Sequence, residues 1–268
     1  MSPTLNIAAL TRRTGVSPDT IRKWEQRYGV LRPERTTGGQ RRYTELDVAR
    51  VEWLKARLAE GFRIGEAAAL LGPGGMAVGG PEELLRTLVD ATRTSDVVTV
   101  TATVEQALLT LAPETAFAEV LAPALVEIGE LWSVGELSVA QEHLVSAAVR
   151  SALQRLLADR RASVRGMAVL ACAPGERHEI GLLMLAVLLR ADGWQVAYLG
   201  ADTPAREAVR LARGLGASVV AFSASREDAA ARLATGLRRE RVPEGVRVLV
   251  GGRASGSQTA AAAVAALR

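Results

Sequence analysis

The run Met167-Ala-Val-Leu-Ala-Cys172, continued by Ala173-Pro-Gly-Glu176-Arg-His178-Glu-Ile-Gly181, decides the fold. A short apolar stretch of strand length breaks at a Pro-Gly turn, and the apolar series of Glu179–Ala191 then has helix length. The alternation repeats: Gln195–Leu199 precedes a helical stretch over Pro204–Gly214, and Ser218–Ser223 precedes one over Asp228–Arg239. Arg247–Val250 then leads to an alanine-rich helix from Ser257. Strands that alternate with helices are joined by crossovers, so residues 165–268 are expected to form a Rossmann-like open parallel sheet with helices on both faces. Such sheets bind ligands at the carboxyl ends of their strands, where strand order reverses. The loop after the first strand is therefore the place to look. There, Glu176 can accept from one ring nitrogen of His178, which fixes the tautomer and leaves the other lone pair for a metal. Gly181 allows a bulky group to approach closely. A surface Glu-x-His hydrogen bond has the same spacing, and the spacing alone leaves both readings open.

Upstream, residues 78–162 read as helical throughout. Helices are expected over Glu82–Asp90, Val97–Leu111, Thr115–Trp132 and Val139–Leu157, interrupted at Pro113 and in the Trp132–Ser138 turn. Four helices with short connections predict a four-helix bundle of antiparallel neighbours. Leu131-Trp132-Ser133-Val-Gly-Glu136 ends one helix and Gln141-Glu142-His143 begins the next. Taken alone, Trp132 reads as a core aromatic and His143 as a helix-end histidine on a carbonyl. Before the bundle, Leu71-Gly-Pro-Gly-Gly-Met-Ala-Val-Gly-Gly-Pro81 cannot continue a helix and reads as a linker.

Residues 1–75 differ in charge. They hold 13 Lys/Arg against 8 Asp/Glu, while the remainder holds 20 against 21, so the chain's net charge of +4 originates in its first quarter. Five of the ten aromatics lie there too: Trp24, Tyr28, Tyr43, Trp53 and Phe62. A basic, aromatic-rich module points to nucleic acid, with a solvated basic surface as the alternative. Ile7 and Leu10, then Ile21 and Trp24, mark two short amphipathic helices around Thr14-Gly15-Val16-Ser17-Pro18. Ser17 can cap the second helix, and Pro18 at its first position loses no hydrogen bond. This spells a helix-turn-helix whose second helix presents Thr20, Arg22, Lys23 and Arg27 to phosphates and base edges. Arg35-Thr-Thr-Gly-Gly-Gln-Arg41-Arg-Tyr43 reads as a hairpin wing with glycines at its tip. Thr44 then caps another helix, with Asp47 in the capping-box position and Val48, Val51, Leu54 and Leu58 as its apolar series.

A length of 268 residues suits two or three domains, at ~100–200 residues each. With 49% hydrophobic and 23% charged residues the composition is that of a folded chain with a real core. One cysteine, Cys172, excludes an intrachain disulfide framework, and with two histidines it builds no zinc spacing. No charge-free apolar run is long enough for a membrane span, and MSPTLNIAALTRR lacks the features of a signal peptide. The expected setting is the reducing cytoplasm, with no membrane partner.

The joint pattern Asp19-Thr-Ile-Arg22-Lys-Trp24-Glu25-Gln-Arg27-Tyr28-Gly29 with Thr37-Gly-Gly-Gln-Arg41-Arg-Tyr43 resembles the winged helix-turn-helix of the MerR family of transcription regulators over residues 5–72. The resemblance implies Arg22, Lys23 and Arg27 on the recognition helix and Arg41 and Tyr43 on the wing, with Trp24 and Trp53 in the core. In many MerR relatives a long coiled-coil helix follows; this chain breaks off instead. Glu176-x-His178-x-x-Gly181, Ser223-Ala-Ser225 and Gly251-Gly252 resemble the cobalamin-binding domain of corrinoid proteins, whose usual wording is Asp-x-His-x-x-Gly, Ser-x-Leu and Gly-Gly. The bundle with Trp132 and Glu142-His143 is similar to the one that caps the upper face of the corrin in that group.

These resemblances imply His178 as the lower axial ligand of cobalt, Glu176 holding its ring and Ser223 supporting Glu176. Small residues at Ser223, Ser225, Gly251 and Gly252 would make room for the nucleotide tail. Trp132 would cover the upper-face group, Glu142 would accept from ribose hydroxyls, and His143, ranked below His178, would orient neighbours or lie near cobalt. A MerR-type reader fused to such a module is similar to the light-responsive repressors of the CarH and LitR type. There, adenosylcobalamin promotes a DNA-binding oligomer in the dark and photolysis of the cobalt–carbon bond breaks it up. The expectation is thus a non-enzymatic, cobalamin-dependent repressor that binds a double-stranded operator as a homo-oligomer, dimer or tetramer. A corrinoid methyl carrier, or a sensor using another chromophore on this fold, are the alternatives. That light-responsive group commonly has His directly after the capping Trp; here Ser133 stands in that position.

Overall fold

The computed structural model describes residues 5–31, 33–36, 38–59, 61–71, 80–158, 165–252 and 260–267. Most of the expected linker, Thr37 of the wing and the start of the expected last helix lie outside them. The described residues form two compact units, Met1–Glu142 and His143–Arg268.

The first unit opens with α1 (Ile7–Thr14) and α2 (Pro18–Tyr28). Their ends follow from the sequence. The Asn6 side chain accepts from the Ala9 amide, and Ser17 accepts from the Thr20 amide ahead of Pro18. Gly15 and Gly29 close the two helices in the left-handed conformation, at φ 71° and 65°. The wing follows as β1 (Glu34–Arg35) and β2 (Arg41–Arg42), antiparallel, with Arg35 opposite Arg41. In α3 (Glu45–Ala59) the capping box closes reciprocally: the Thr44 amide donates to Asp47 at 2.8 Å and the Asp47 amide to Thr44 at 3.3 Å. With α4 (Ile64–Leu70) these elements enclose one core, centred on Leu10, Ile21, Trp24, Tyr43, Val51 and Leu54.

The same unit also holds α5 (Pro81–Arg93), α6 (Val97–Thr110), α7 (Pro113–Thr115) and α8 (Ala122–Ser133). The expected continuous helix over Thr115–Trp132 is interrupted by a π-helical turn, Ala116–Leu121, in which the Ala122 amide reaches back five residues to Phe117. Pro123 explains it, since a prolyl ring clashes with the carbonyl four residues earlier and lacks the amide to bond it. A buried carboxylate joins α3 to α6: Glu105 accepts from the Trp53 indole at 3.0 Å and pairs with Arg57 at 3.3 Å. The bundle's last helix, α9 (Val139–Ala158), begins in this unit, where Gln141 donates to the carbonyls that end α5, and continues into the second.

The second unit is an all-parallel sheet of β3 (Gly166–Cys172), β4 (Trp194–Gly200), β5 (Val219–Ser223) and β6 (Arg247–Gly251), in the order β4-β3-β5-β6. The helices are α10 (Ile180–Ala191), α11 (Ala205–Leu215), α12 (Glu227–Arg238) and α13 (Ala260–Ala265). Every residue of α10 from Leu182 to Leu189 is buried, because the helix packs on β3 and β4 with one side and on α13 with another. Between β3 and β5 the chain leaves in opposite directions, which makes their carboxyl ends the switch point of the sheet. No described helix is long and apolar enough to cross a membrane.

Candidate functional site

The loop between β3 and α10 sits at that switch point. Gly175, at φ 80°, turns the chain, and its amide donates to the Asp202 carboxylate at 2.6 Å. The Asp202 amide returns a bond to the Glu176 carbonyl at 2.9 Å. Asp202 holds a left-handed φ of 48°, a conformation that aspartate tolerates better than most residues. The ends of the strands are laced together: Ala173 donates to Ser223 and Ala224 to Gly251, both at 2.8 Å.

Glu176 is completely buried, and both of its oxygens are filled. One accepts from the His178 amide at 2.9 Å and meets the His178 ring Nδ1 at 2.6 Å. The other accepts from the amides of Ser225 at 2.7 Å and Arg226 at 3.1 Å. Burial pushes this carboxyl up, but the bonds donated by the His178 and Ser225 amides and by the His178 ring outweigh it, and Glu176 lies below the usual glutamate range. An ionised acceptor at Nδ1 puts the proton there, so Nε2 of the neutral ring carries a free lone pair. The ring itself is 72% exposed. The support expected from Ser223 comes instead from the main chain of Ser225 and Arg226.

Around this pair the glycines serve different ends. A Cβ on Gly181 would meet nothing within 4 Å, so the structure leaves open space beside the start of α10. Gly252, at φ 113°, is required by the fold, since a Cβ there would fall 2.3 Å from the Ala224 carbonyl oxygen. Gly251 ends β6 opposite Ser223.

In the first unit Trp132 ends α8 with 47% of its surface exposed, which sets aside the reading of it as a core aromatic. Ser133 donates its hydroxyl to the Glu130 carbonyl at 2.7 Å. Ser138 and Gln141 form a reciprocal cap at the start of α9, where Glu142 is half-buried and, across the unit boundary, His143 is exposed.

On the winged helix, Arg22, Lys23 and Arg27 lie exposed along α2, with Arg22 held by Asp19 at 3.2 Å and Arg27 over the Tyr28 ring at 5.9 Å. Thr20 bonds the Ser17 hydroxyl at 2.8 Å. Arg41 spans from the wing to α2, its Nε shared between the two oxygens of Glu25 at 3.0 and 2.9 Å. Tyr43, expected among the DNA contacts, has no exposed surface: its ring belongs to the core, and its main chain pairs with Leu5. Burial and the Glu25 charge push its hydroxyl up to about 12. Packing explains the outcome: Tyr43 roots the wing in the same core as Leu10, Trp24, Val51 and Trp53.

Several residues that bear on the site escaped the sequence reading. Asp202, Tyr198 and Arg150 reach the loop from distant positions, and Glu179, next to His178, receives the last two. Only the sequence Gly200-Ala-Asp202-Thr-Pro204, a turn directly after a strand, offered a signal for any of them.

Comparison with known proteins agrees with this layout. A family model described as MerR HTH family regulatory protein matches residues 5–72, and two described as B12 binding domain match residues 84–157 and 166–266. The HTH-type transcriptional repressor CarH of Myxococcus xanthus is 41% identical, over 96% of this chain and 90% of that protein. The HTH-type transcriptional repressor CarA of the same organism is 36% identical, over 75% of this chain and 70% of that protein. Among solved structures, the monomethylamine corrinoid protein of Methanosarcina barkeri aligns with a TM-score of 0.57 at 22% identity, covering 70% of this chain and 99% of that one, a likeness of fold. With a MerR match, two B12-binding matches and kinship to CarH along nearly its whole length, this chain belongs to the CarH-like family of MerR regulators that carry a cobalamin-binding domain.

Proposed function

We propose that this chain is a cobalamin-dependent transcriptional repressor of the cytoplasm, that adenosylcobalamin is the form it reads, and that light ends repression by removing the adenosyl group. The observation that carries this reading is the Glu176–His178 pair: a buried, ionised carboxylate fixes Nδ1–H and turns an exposed imidazole into a donor with one free lone pair. An imidazole nitrogen suits a borderline transition-metal ion with an open coordination position, and no atom stands within 4 Å of a Cβ placed on Gly181 in the same loop. When bound, cobalamin would supply a cobalt centre and a light-sensitive cobalt–carbon bond. His178 would hold the cobalt, and the small residues Ser223, Ser225 and Gly251 would accommodate the nucleotide tail. We assign Trp132, Glu142 and His143 to the upper-face group, by their likeness to the capping bundle of corrinoid proteins.

Ser133 sets this chain apart from the light-responsive relatives with His at that place. Its hydroxyl is committed to the Glu130 carbonyl. Residue 133 therefore supplies no second imidazole after the adenosyl group has left.

On the output side, Arg22, Lys23 and Arg27 form a basic face on α2 suited to a major groove. One winged helix contacts little DNA, so binding is expected from a symmetric oligomer, dimer or tetramer, on repeated half-sites. The winged helix also separates this chain from corrinoid carriers, which have no use for one.

Protein mixed with adenosylcobalamin in the dark is expected to show the spectrum of imidazole-coordinated cobalamin, to lose it in His178→Ala, and to elute from a sizing column as a larger species than without cofactor. Illumination is expected to return the smaller species. An unchanged spectrum in His178→Ala overturns the site, and elution indifferent to light overturns the switch.

A further inference from the structure

The residue after the candidate ligand is also fastened from outside the loop. Glu179 points into a space beside the end of β4. There the pairing of β3 with β4 slips by one residue between Leu170 and Ala171, so that Ala171 meets Gly200. Gly200 sits at φ 78°, and a Cβ there would come within 3.3 Å of a Glu179 carboxylate oxygen. In that space Glu179 accepts from the Tyr198 hydroxyl at 2.9 Å and forms an ion pair with Arg150 of α9 at 3.0 Å. Burial, reinforced by the bond to Glu179, raises Tyr198 well above its ordinary value, so its hydroxyl keeps the proton it donates. Arg150 lies seven residues after His143, two turns along α9 on the same side of the helix.

We propose that Arg150, Glu179 and Tyr198 form a positioning clamp that ties the last bundle helix to the ligand loop and so holds His178 in register for axial coordination of a corrinoid cobalt. This rests on the cobalamin reading above and adds to it three residues that the family's motif does not specify. The loop is thereby fixed from two sides. Glu176 anchors it to the loop after β5, and Glu179 anchors it to β4 and α9. A metal-bound histidine depends on such outer contacts for ring orientation, and their loss typically lowers metal affinity about 10–100-fold. Because one anchor belongs to α9, a shift of that helix would be felt at the His178 ring.

The test is a titration with hydroxocobalamin and with adenosylcobalamin in the dark, reading the absorbance spectrum of wild-type protein and of Glu179→Gln, Arg150→Met, Arg150→Lys and Tyr198→Phe. Glu179→Gln and Arg150→Met are expected to weaken binding about 10-fold or more, and to leave part of the bound cofactor without the imidazole signature. Arg150→Lys restores the ion pair and is expected to recover most of it. Tyr198→Phe removes a single oxygen and gives a smaller loss in the same direction. Thermal unfolding without cofactor accompanies each titration. If Arg150→Lys unfolds and binds as poorly as Arg150→Met, the contact is merely structural and the proposal fails. A wild-type spectrum that needs His178 yet survives every clamp variant sinks the clamp alone. A wild-type protein with no His178-dependent spectrum sinks the cobalamin reading, and the clamp with it.

Discussion

The recognition helix and the switch-point loop are held in opposite ways. On α2 the polar groups are fastened to near neighbours: Ser17 to Thr20, and Asp19 to Arg22. Around His178 the fastenings come from far along the chain: Glu176 to Ser225 and Arg226, Gly175 to Asp202, and Glu179 to Tyr198 and Arg150. A surface that must meet a partner keeps its charges in water, where each contact contributes little to stability and the side chain stays free to rearrange. A site that must present one nitrogen in one direction fixes it with buried acceptors, where each lost bond strands a donor. Stability and function should therefore separate on the helix and coincide in the loop.

The largest effect is expected at Glu176. Its removal leaves the amides of His178, Ser225 and Arg226 without their acceptor, at ~1–3 kcal/mol for each buried group left unpaired. Glu176→Ala should thus lower stability to denaturant by about 3 kcal/mol and abolish His178-dependent cobalamin binding in the same protein. Acid provides a milder route to the same end. A carboxyl held below its ordinary value in the fold stabilises the loop above the unfolded value, and that contribution is lost as pH falls through the folded value. Glu176→Gln should remove this acid-side component from a plot of unfolding free energy against pH. Equal acid sensitivity in the two proteins would show that the charge of Glu176 is not what secures the loop.

Arg41 is the exception on the DNA-facing side, and it sharpens the contrast. It reaches sixteen residues back to Glu25, a carboxylate that is 14% exposed, and so fastens the wing to the recognition helix. Arg41→Ala is expected to cost about 1 kcal/mol, as a charge-assisted bond at partial burial does. Binding to duplex DNA should fall as well, because the wing loses its register to α2. Glu25→Ala should reproduce both losses, even though deleting this carboxylate raises the net positive charge of the face. If Arg41→Ala weakened DNA binding while Glu25→Ala left it intact, Arg41 would act as a phosphate contact rather than as a strut.

The same contrast sets what could be read from the sequence. Caps, turns and periodicity are local, and they located both helices of the helix-turn-helix, the capping box of α3 and each strand of the sheet to within a residue or two. The pairing of Glu176 with His178 was legible because the partners are two residues apart. The donors on the far side of Glu176 were not, because Ser225 and Arg226 approach only once β5 lies beside β3. Glu179 and Tyr198 meet through a slip in strand pairing that no propensity encodes. The burial of Tyr43 was hidden for a different reason: a tyrosine directly after two arginines suits a DNA contact and a wing root equally, and packing in the core that holds Leu10 and Val51 decides between them. The π-turn before α8 was foreshadowed by Pro123, yet its cost could have been met by a kink or a break.

The smallest structural effect, and the clearest separation of the two regions, is expected at Arg22. Its one described bond is to Asp19, three residues away, and half of its side chain is in water. Exposed pairs of this kind contribute ~0.2–1 kcal/mol, so Arg22→Ala should shift stability by no more than about 0.5 kcal/mol. Its consequence for DNA should be larger. An arginine on a recognition helix contributes either a base contact, which costs ~1–3 kcal/mol when lost and relaxes preference at one position, or a phosphate contact, which weakens all sequences alike and lowers the slope of log affinity against log salt by about one. Measuring affinity for an operator-like and a random duplex at several salt concentrations distinguishes the two, since only the first changes their ratio. An Arg22→Ala protein that kept its affinity, its preference and its salt slope would remove α2 from the interface. The basic first quarter of the chain would then be a solvated surface whose charge serves no duplex.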